Sequence, residues 1–424
     1  MRRMHLPRPV KETGPVEYRP WEPSFWTMLL SSAVLLGVVV GLLLSVFWQT
    51  GPVAGEEFHL WKWQANTFTS TAFARVGIGP NPDDTAGDAA VQRYFAITSR
   101  IRAESEMDAP DLAVLELLEN ERATYENDVE RLIQRRLGEV IEENGYLQRR
   151  LPLFQSVKIT WPPVEFELTS PPRLLVRSPR DRIERTGDTL LKTDLSLRQI
   201  ERIEAATDNA DRVSLVISIG GLAAYPAIVR DDRSYHAVLE TAAHEWVHHY
   251  LAFYPLGRQW GKGGDAEALN ETTANIAGRE LAYLVRQLYP IEFPDDLDGR
   301  APARPPSDVD FNSEMRSLRL QVDALLDDGD VAGAERLMEE KRLWFNANGI
   351  PIRKLNQAYF AFYGTYADGP ASSNPIGPKI ERVWELTGDV GIFLVLMREV
   401  RNADDLDALL GRLEAARESS GHER

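Results

Sequence analysis

The stretch LETAAHEWVHHYL, residues 239–251, contains two histidines four residues apart, with a glutamate directly after the first. On a helix that advances by about 100° per residue, His244 and His248 lie about 40° apart, and Glu245 falls within the same arc of about 100°. This spacing brings two imidazoles to one metal ion while the glutamate reaches a water molecule beside it. The pattern predicts a catalytic zinc site with Zn²⁺ as cofactor.

A catalytic zinc ion usually has three protein ligands, so a third must be found elsewhere in the chain. The chain has no cysteine, and a third histidine in the pattern H-x-x-G-x-x-H is excluded because Leu251 and Tyr254 occupy its glycine and last histidine positions. The segment DAEALNETTANIAGREL is a predicted helix with four carboxylates that could serve, namely Asp265, Glu267, Glu271 and Glu280. Glu271 is favoured because the small residues after it allow close packing on the first helix. Asn275, one turn later, could hydrogen-bond an imidazole that binds the metal.

HEWVH followed by NETTAN resembles the gluzincin zinc metallopeptidases, the thermolysin-like and aminopeptidase-like enzymes. The resemblance covers residues 240–280 and implies that His244, His248 and Glu271 bind zinc while Glu245 is the general base. It also implies an edge strand before the metal helix, within GGLAAYPAIV, against which an extended peptide would pair. A family enzyme needs an oxyanion donor as well, and we take Tyr363 and Tyr366 as the candidates.

The chain also departs from that family in three ways. The gap between His248 and Glu271 is a few residues longer than in thermolysin, Asn275 stands where an aspartate is common, and no GxMEN motif precedes the helix. These departures leave the zinc site as predicted and leave the class of substrate open.

An uncharged apolar segment near the N-terminus contains FWTMLLSSAVLLGVVVGLLLSVFW, which is long enough for the roughly 20 residues of a membrane-spanning helix. The arginines and lysine before it predict a cytoplasmic N-terminus. The sequence therefore predicts a single-pass protein of the cell membrane, with the lipid bilayer as a partner and the catalytic part extracytoplasmic.

Five segments are predicted. They are a cytoplasmic tail (1–23), a transmembrane helix (24–48), a helical stalk or packing region (49–150), a zinc peptidase catalytic core (151–290) and a helical C-terminal subdomain (291–424). The predicted fold class is α+β. It combines the transmembrane helix and helical region with a small mixed sheet that supports the metal helix and a mainly helical C-terminal part, a gluzincin-like arrangement.

The formal net charge of −16 without a long basic run argues against a nucleic-acid partner. The leading hypothesis is a membrane-anchored, extracytoplasmic zinc metallopeptidase that acts on a peptide or protein substrate. Two alternatives stay open. One is a catalytically inactive, membrane-tethered binding protein on a peptidase scaffold, and the other is a zinc amidase with a non-peptide substrate.

Overall fold

The computed structural model describes residues 84–293 and 309–421, apart from residues 146, 152–153 and 263–264, together with residue 53, residues 55–65 and residue 67. The first range begins with two long helices that pack on each other, α1 (Asp84–Ser105) and α2 (Leu112–Glu143). Asp111 is the N-cap of α2, and its carboxylate accepts a hydrogen bond from the backbone N–H of Ala113 at 2.9 Å. Such a cap satisfies a donor that the first helical turn leaves unpaired.

The strands within the described residues form three small sheets. The first pairs β1 (Gln148–Leu151) with β2 (Phe154–Thr160), and the second places β4 (Arg173–Pro179) between β5 (Gly187–Leu191) and β6 (Arg212–Ser218), all antiparallel. In the third sheet, β8 (Ala227–Val229) runs parallel to β3 (Phe166–Leu168) and antiparallel to the edge strand β7 (Gly221–Leu222). A short turn and strand β8 connect β7 to the helix that carries the HExxH stretch.

The remaining helices are α3 (Leu197–Thr207), α4 (Tyr235–Leu251), α5 (Asp265–Leu288), α6 (Phe311–Asp327), α7 (Val331–Ala347), α8 (Gln357–Tyr363), α9 (Ile376–Thr387), α10 (Val390–Met397) and α11 (Ala403–Gly421). A single 3₁₀ turn, Gly257–Gln259, lies between α4 and α5. The predicted HExxH stretch is thus helical, and Glu271 lies in the second turn of the next helix rather than at its start.

One hydrophobic core joins segments that are far apart in the sequence. It contains Leu137 of α2, Trp246 of α4, Leu281 of α5 and Phe393 of α10, all essentially inaccessible to solvent. The helices before residue 150, the helices of the predicted catalytic core and the C-terminal helices therefore pack together. The sheet of β5, β4 and β6, called the central sheet below, has a separate apolar cluster on each face, one against α3 and one against α8.

The predicted fold class needs a correction in its membrane part. No helix among the described residues is both long enough and apolar enough to cross a bilayer. The apolar helix α10 has only 8 residues, and the longer helices carry charged side chains. The transmembrane helix in the predicted fold is therefore not supported, and residues 24–48, where it was predicted, lie outside the described residues.

Candidate metal centre and active site

Helix α4 carries the two histidines because its other side is anchored in the core. It begins after Ser234, whose hydroxyl accepts a hydrogen bond from the backbone N–H of Ala237 at 3.3 Å. Four apolar residues at helical spacing are fully buried, as predicted: Leu239, Ala243, Val247 and Leu251. Burial of that stripe fixes the rotation of the helix and so the direction in which the histidines point.

Helices α4 and α5 pack closely and in opposite directions. Gly278 of α5 lies against His244, where an added Cβ would approach the backbone nitrogen to 2.9 Å. Asn270, eight residues before Gly278 on α5, lies against His248, which is four residues after His244 on α4. Small residues at the crossing, including Ala274 and Ala277, are completely buried. This close crossing brings the carboxylate of Glu271 to both imidazoles.

Three potential ligand atoms converge between the two helices. The Nε2 atoms of His244 and His248 are 2.9 Å apart, and Oε2 of Glu271 lies 3.4 Å from the first and 3.6 Å from the second. All three side chains are largely buried, with exposed fractions of 16%, 11% and 8% respectively. The structure therefore brings together the three ligands that the sequence predicted.

The other carboxylates considered for the third ligand have other contacts. Glu267 lies 3.6 Å from Arg185, and Asp265 accepts a hydrogen bond from Asn374 at 3.2 Å. Glu280 lies 3.7 Å from Arg279. Among the candidates named from the sequence, only Glu271 joins the histidine pair.

The three atoms fit a bound metal ion. Ligand bonds of about 2.0–2.1 Å in tetrahedral geometry separate two ligand atoms by roughly 3.3 Å, close to the two oxygen–nitrogen distances here. Oε2 of Glu271 is buried and has no hydrogen-bond partner among the described residues. A buried carboxylate oxygen without a partner is costly, and a cation between it and the imidazoles would satisfy it. His244, His248 and Glu271 can therefore hold a metal ion.

His248 is oriented by a second contact. Its Nδ1 lies 2.8 Å from Oδ1 of Asn270, and because an amide oxygen can only accept, Nδ1 must be the donor. The lone pair of a neutral imidazole would then be on Nε2, which faces His244 and Glu271. Asn270 therefore selects the tautomer that a metal needs.

Without a metal, the site holds a buried ion pair. Burial raises the pKa of the Glu271 carboxyl, but the neighbouring His248 and His244 outweigh burial and hold that pKa far below its ordinary value. Burial likewise lowers the pKa of His248, and the Glu271 carboxylate outweighs it and raises the pKa to about 9. The carboxylate is thus ready to bind a cation, which would displace a proton from His248.

Glu245 lies beside this cluster, against the edge strand. A Cβ at Gly221 of β7 would come within 2.4 Å of Oε1 of Glu245, so the carboxylate touches the bare backbone of the strand. Glu245 is 5% exposed, and burial is the main cause of its raised pKa, which the charge of Glu271 also raises. A raised pKa makes this carboxylate a better proton acceptor near neutral pH.

The strand predicted before the metal helix is present and lies at a sheet edge. Among the described residues, strand β7 pairs only with β8, and His249 fixes the turn after it through a 2.6 Å contact between its Nε2 and the Ala224 carbonyl oxygen. Because that carbonyl can only accept, His249 Nε2 is the donor. Glu245 meets Gly221 and His249 meets Ala224, so α4 and the segment from β7 onward run side by side.

The two candidate tyrosines have different surroundings. Burial, followed by the charges of Glu271 and Glu245, raises the pKa of Tyr366 well above its ordinary value, so its hydroxyl keeps its proton. The loop with Tyr366 is fixed to α5, since the N–H of Ala367 donates to Oγ1 of Thr272 at 2.9 Å. Tyr363 instead packs against Tyr359, with ring centroids 4.5 Å apart and the rings tilted by 43°, and lines a cavity of about 340 Å³ beside β6.

Asn275 does not contact an imidazole in this structure. Its side-chain nitrogen donates to Asp368 at 3.2 Å, and the hydrogen bond to an imidazole that was predicted for Asn275 is made by Asn270, to His248. Sequence reasoning also missed Arg185, whose charge lies close enough to Glu271 and Tyr366 to influence their electrostatics. The signal for Asn270 was its place directly before Glu271.

The arrangement is able to bind a cation with three ligands, and it adds the buried carboxylate of Glu245 and the protonated hydroxyl of Tyr366, whose pKa responds to the same carboxylates. That set of groups suits the attack of water on a carbonyl or related electrophile. Comparison with known proteins adds no further information, because the chain matches no family model, no curated protein and no solved structure.

Proposed function

We propose that this protein is a zinc-dependent peptidase with His244, His248 and Glu271 as metal ligands and Glu245 as general base. The observation that carries the proposal is the convergence of three ligand atoms from two helices, together with a second, buried carboxylate, that of Glu245, on the residue after His244. A purely structural ion pair would not need that extra carboxylate, whose burial is costly. Perturbed carboxylates next to a ligand set are typical of active sites.

Zinc is proposed as the metal because of the chemistry of the donors. Two imidazole nitrogens and one carboxylate oxygen at these separations suit a tetrahedral ion with one position left open. When bound, zinc would lower the pKa of a water molecule and polarise the scissile carbonyl.

The side chains of this chain supply the proton transfers and the positioning. Glu245 would accept the proton from the attacking water and pass it to the leaving amine, since its raised pKa suits both steps. Tyr366 would donate a hydrogen bond to the oxyanion, because its hydroxyl keeps its proton at neutral pH. The free edge of β7 would pair with an extended substrate backbone and bring the scissile bond beside Glu245.

The test is metal content and peptide hydrolysis of the purified full chain and three single variants. We expect the wild type to contain about one zinc per chain and Glu271→Ala to lose most of it, because two imidazoles alone form an incomplete site. Glu245→Gln should keep its zinc and lose about 10²–10⁴-fold in kcat. Glu280→Gln is the matched control, since this partly exposed carboxylate of α5 lies outside the ligand cluster.

Three results would count against the proposal. Zinc in Glu271→Ala equal to wild type would exclude Glu271 as a ligand. Unchanged hydrolysis by Glu245→Gln would exclude the general-base role. A wild type that binds zinc and cleaves none of a diverse peptide library would favour the alternative of an inactive binding protein.

A further inference from the structure

A group of arginines lies at one end of the edge strand β7. We call it the arginine patch and define it as Arg102, Arg173, Arg230 and Arg233. The backbone N–H of Arg230 donates to the Gly220 carbonyl at 3.3 Å, and Nη1 of Arg173 donates to Oγ of Ser218 at 3.0 Å. These two contacts flank the residues that lead into β7, directly before the glycine that touches Glu245.

The other two arginines adjoin the turn between β8 and α4. Arg102 of α1 donates from Nη2 to the carbonyl oxygen of Asp232 at 2.8 Å, and Arg233 follows Asp232 in that turn. The side chain of Arg233 is 54% exposed. The patch therefore spans from α1 across the start of the metal helix to the central sheet.

The carboxylates of this turn are already used by other partners. Asp231 pairs with Arg122 at 2.6 Å, and both oxygens of Asp232 are bound by Arg230, one of them at 2.7 Å. Arg233 only approaches Asp232, at 3.9 Å. Arg173 has no carboxylate within ion-pair distance in the part of the chain that the structure describes. Arg173 thus lacks a carboxylate partner among the described residues, and Arg233 has only this long contact, in a chain of net charge −16.

The like charges of the patch affect one another. Burial lowers the pKa of Arg173, and the charges of Arg230 and Arg353 lower it further. Burial and then the Arg230 charge lower the pKa of Arg233 as well. Repulsion of this kind is unfavourable in the free protein and would be relieved by an anion.

The patch adjoins the strand that lies against Glu245. Gly220, whose carbonyl accepts the hydrogen bond from Arg230, directly precedes Gly221, which touches Glu245. The charge of Arg233 also opposes the burial that raises the pKa of Tyr363, the last residue of α8. An extended chain on β7 would therefore pass from Glu245 toward the arginines.

We propose that the arginine patch binds a carboxylate of the substrate, so that the enzyme prefers acidic peptides whose charge lies beyond the Gly220 end of β7. The inference rests on the proposed peptidase function. Guanidinium groups suit this role because their planar donors match a carboxylate and keep their charge at every physiological pH. The carboxylate can belong to an acidic side chain or to the peptide C-terminus.

The test uses the zinc-loaded full chain and a set of quenched-fluorescent peptides. Within the set, one position at a time carries Glu, Gln or Lys, and each position along the peptide is varied in turn. At one of these positions we expect wild-type kcat/KM to be about fivefold to tenfold higher for Glu than for Gln, mainly through KM, and this preference should weaken as salt screens exposed charges. Arg233→Gln should lose this preference, and Arg233→Glu should favour Lys. Arg131→Glu, which reverses an exposed arginine of α2 paired with Asp128, should retain the wild-type preference.

A second arm compares the Gln peptides with a free and an amidated C-terminus. A preference for the free acid that Arg233→Gln abolishes would assign the patch to the terminal carboxylate, and a preference for internal Glu would assign it to a side chain. Equal cleavage of all peptides by wild type would overturn the inference and leave the proposed function intact. No cleavage of any peptide by wild type would overturn the proposed function and this inference with it.

Discussion

Replacement of Gly221 by alanine should damage catalysis more than stability. The new methyl group would lie 2.4 Å from Oε1 of Glu245, 2.8 Å from Cγ2 of Thr241 and 2.9 Å from the carbonyl oxygen of Ile228. Contacts with the strand and the helix on two sides prevent a simple shift of the backbone. The carboxylate would have to retreat by about 1 Å to restore ordinary van der Waals contact.

A displacement of about 1 Å in a reacting group can cost about 10²-fold in rate, so we expect kcat to fall by about that factor. Overpacking of this kind should also reduce the free energy of unfolding by about 1–3 kcal/mol. Zinc content should stay at the wild-type level, because none of the three atoms nearest to the new methyl group belongs to a metal ligand. The assay is steady-state hydrolysis of one peptide, with metal content and thermal unfolding measured on the same preparation.

Gly220→Ala is the matched control. An added Cβ at Gly220 meets no atom within 4 Å, and neither glycine has a positive φ that alanine would strain. We expect this variant to retain wild-type kcat. Equal activity of the two alanine variants would refute the reasoning, since it would show that contact between strand and carboxylate does not control the position of Glu245.

Three further outcomes are expected. Asn270→Ala should weaken zinc binding by about 10–100-fold in a competition titration, while Asn275→Ala should leave it within about twofold of wild type; equal losses would contradict the assigned hydrogen bond. Tyr366→Phe should lower kcat by about 10²–10³-fold at unchanged zinc content, and Tyr363→Phe should not, or the oxyanion role is wrong. Burial raises the pKa of Glu204, but Arg353 and other donors outweigh burial and hold that pKa below its ordinary value. Its carboxylate therefore stabilises the fold above the ordinary pKa of a glutamate, and this contribution is lost as pH falls through the lowered pKa. Glu204→Gln should lower the free energy of unfolding by about 1–3 kcal/mol at pH 7. In chemical denaturation, the difference in this free energy between wild type and variant should become smaller at acidic pH.

The ligand set could be predicted from the sequence because each part of it follows local rules. The spacing of His244 and His248 needs only a helix, and the buried stripe opposite them fixes which side faces the cleft. Glu271 could be singled out by the small residues that follow it, which permit the close crossing of α4 and α5. Both features are properties of a single helix.

The partner of His248 could not be predicted in the same way. Asn275 lies one turn after Glu271 and was expected to reach an imidazole, but α4 and α5 run in opposite directions. That crossing places the residue before Glu271 beside His248, and it directs the later part of α5 toward His244 and beyond. The sense of a helix crossing depends on tertiary packing and is not contained in the periodicity of either helix.

The surroundings of the two tyrosines depend on the loop path as well. Both lie near the end of α8, three residues apart, and the loop after the second is joined to α5 by the bonds from Ala367 to Thr272 and from Asn275 to Asp368. Glycine-rich loops have too many allowed paths for the sequence to specify such a contact. Residues 24–48, for which a transmembrane helix was predicted, lie outside the described residues, and none of the described helices supports that part of the fold.

The bond between Ala367 and Thr272 also limits how the cleft can open. It joins the loop with Tyr366 to the helix with Glu271, so these two groups form one rigid unit. Glu245 and the histidines belong to α4, which adjoins β7 on the other side. A motion of this unit against α4 would change the distance from Glu271 to both histidines and would weaken metal binding. Access for a substrate is therefore expected to depend on movement of the short strand β7 and of the turn at Gly257–Gln259, while the packed helices α4 and α5 keep the distances between the metal ligands constant.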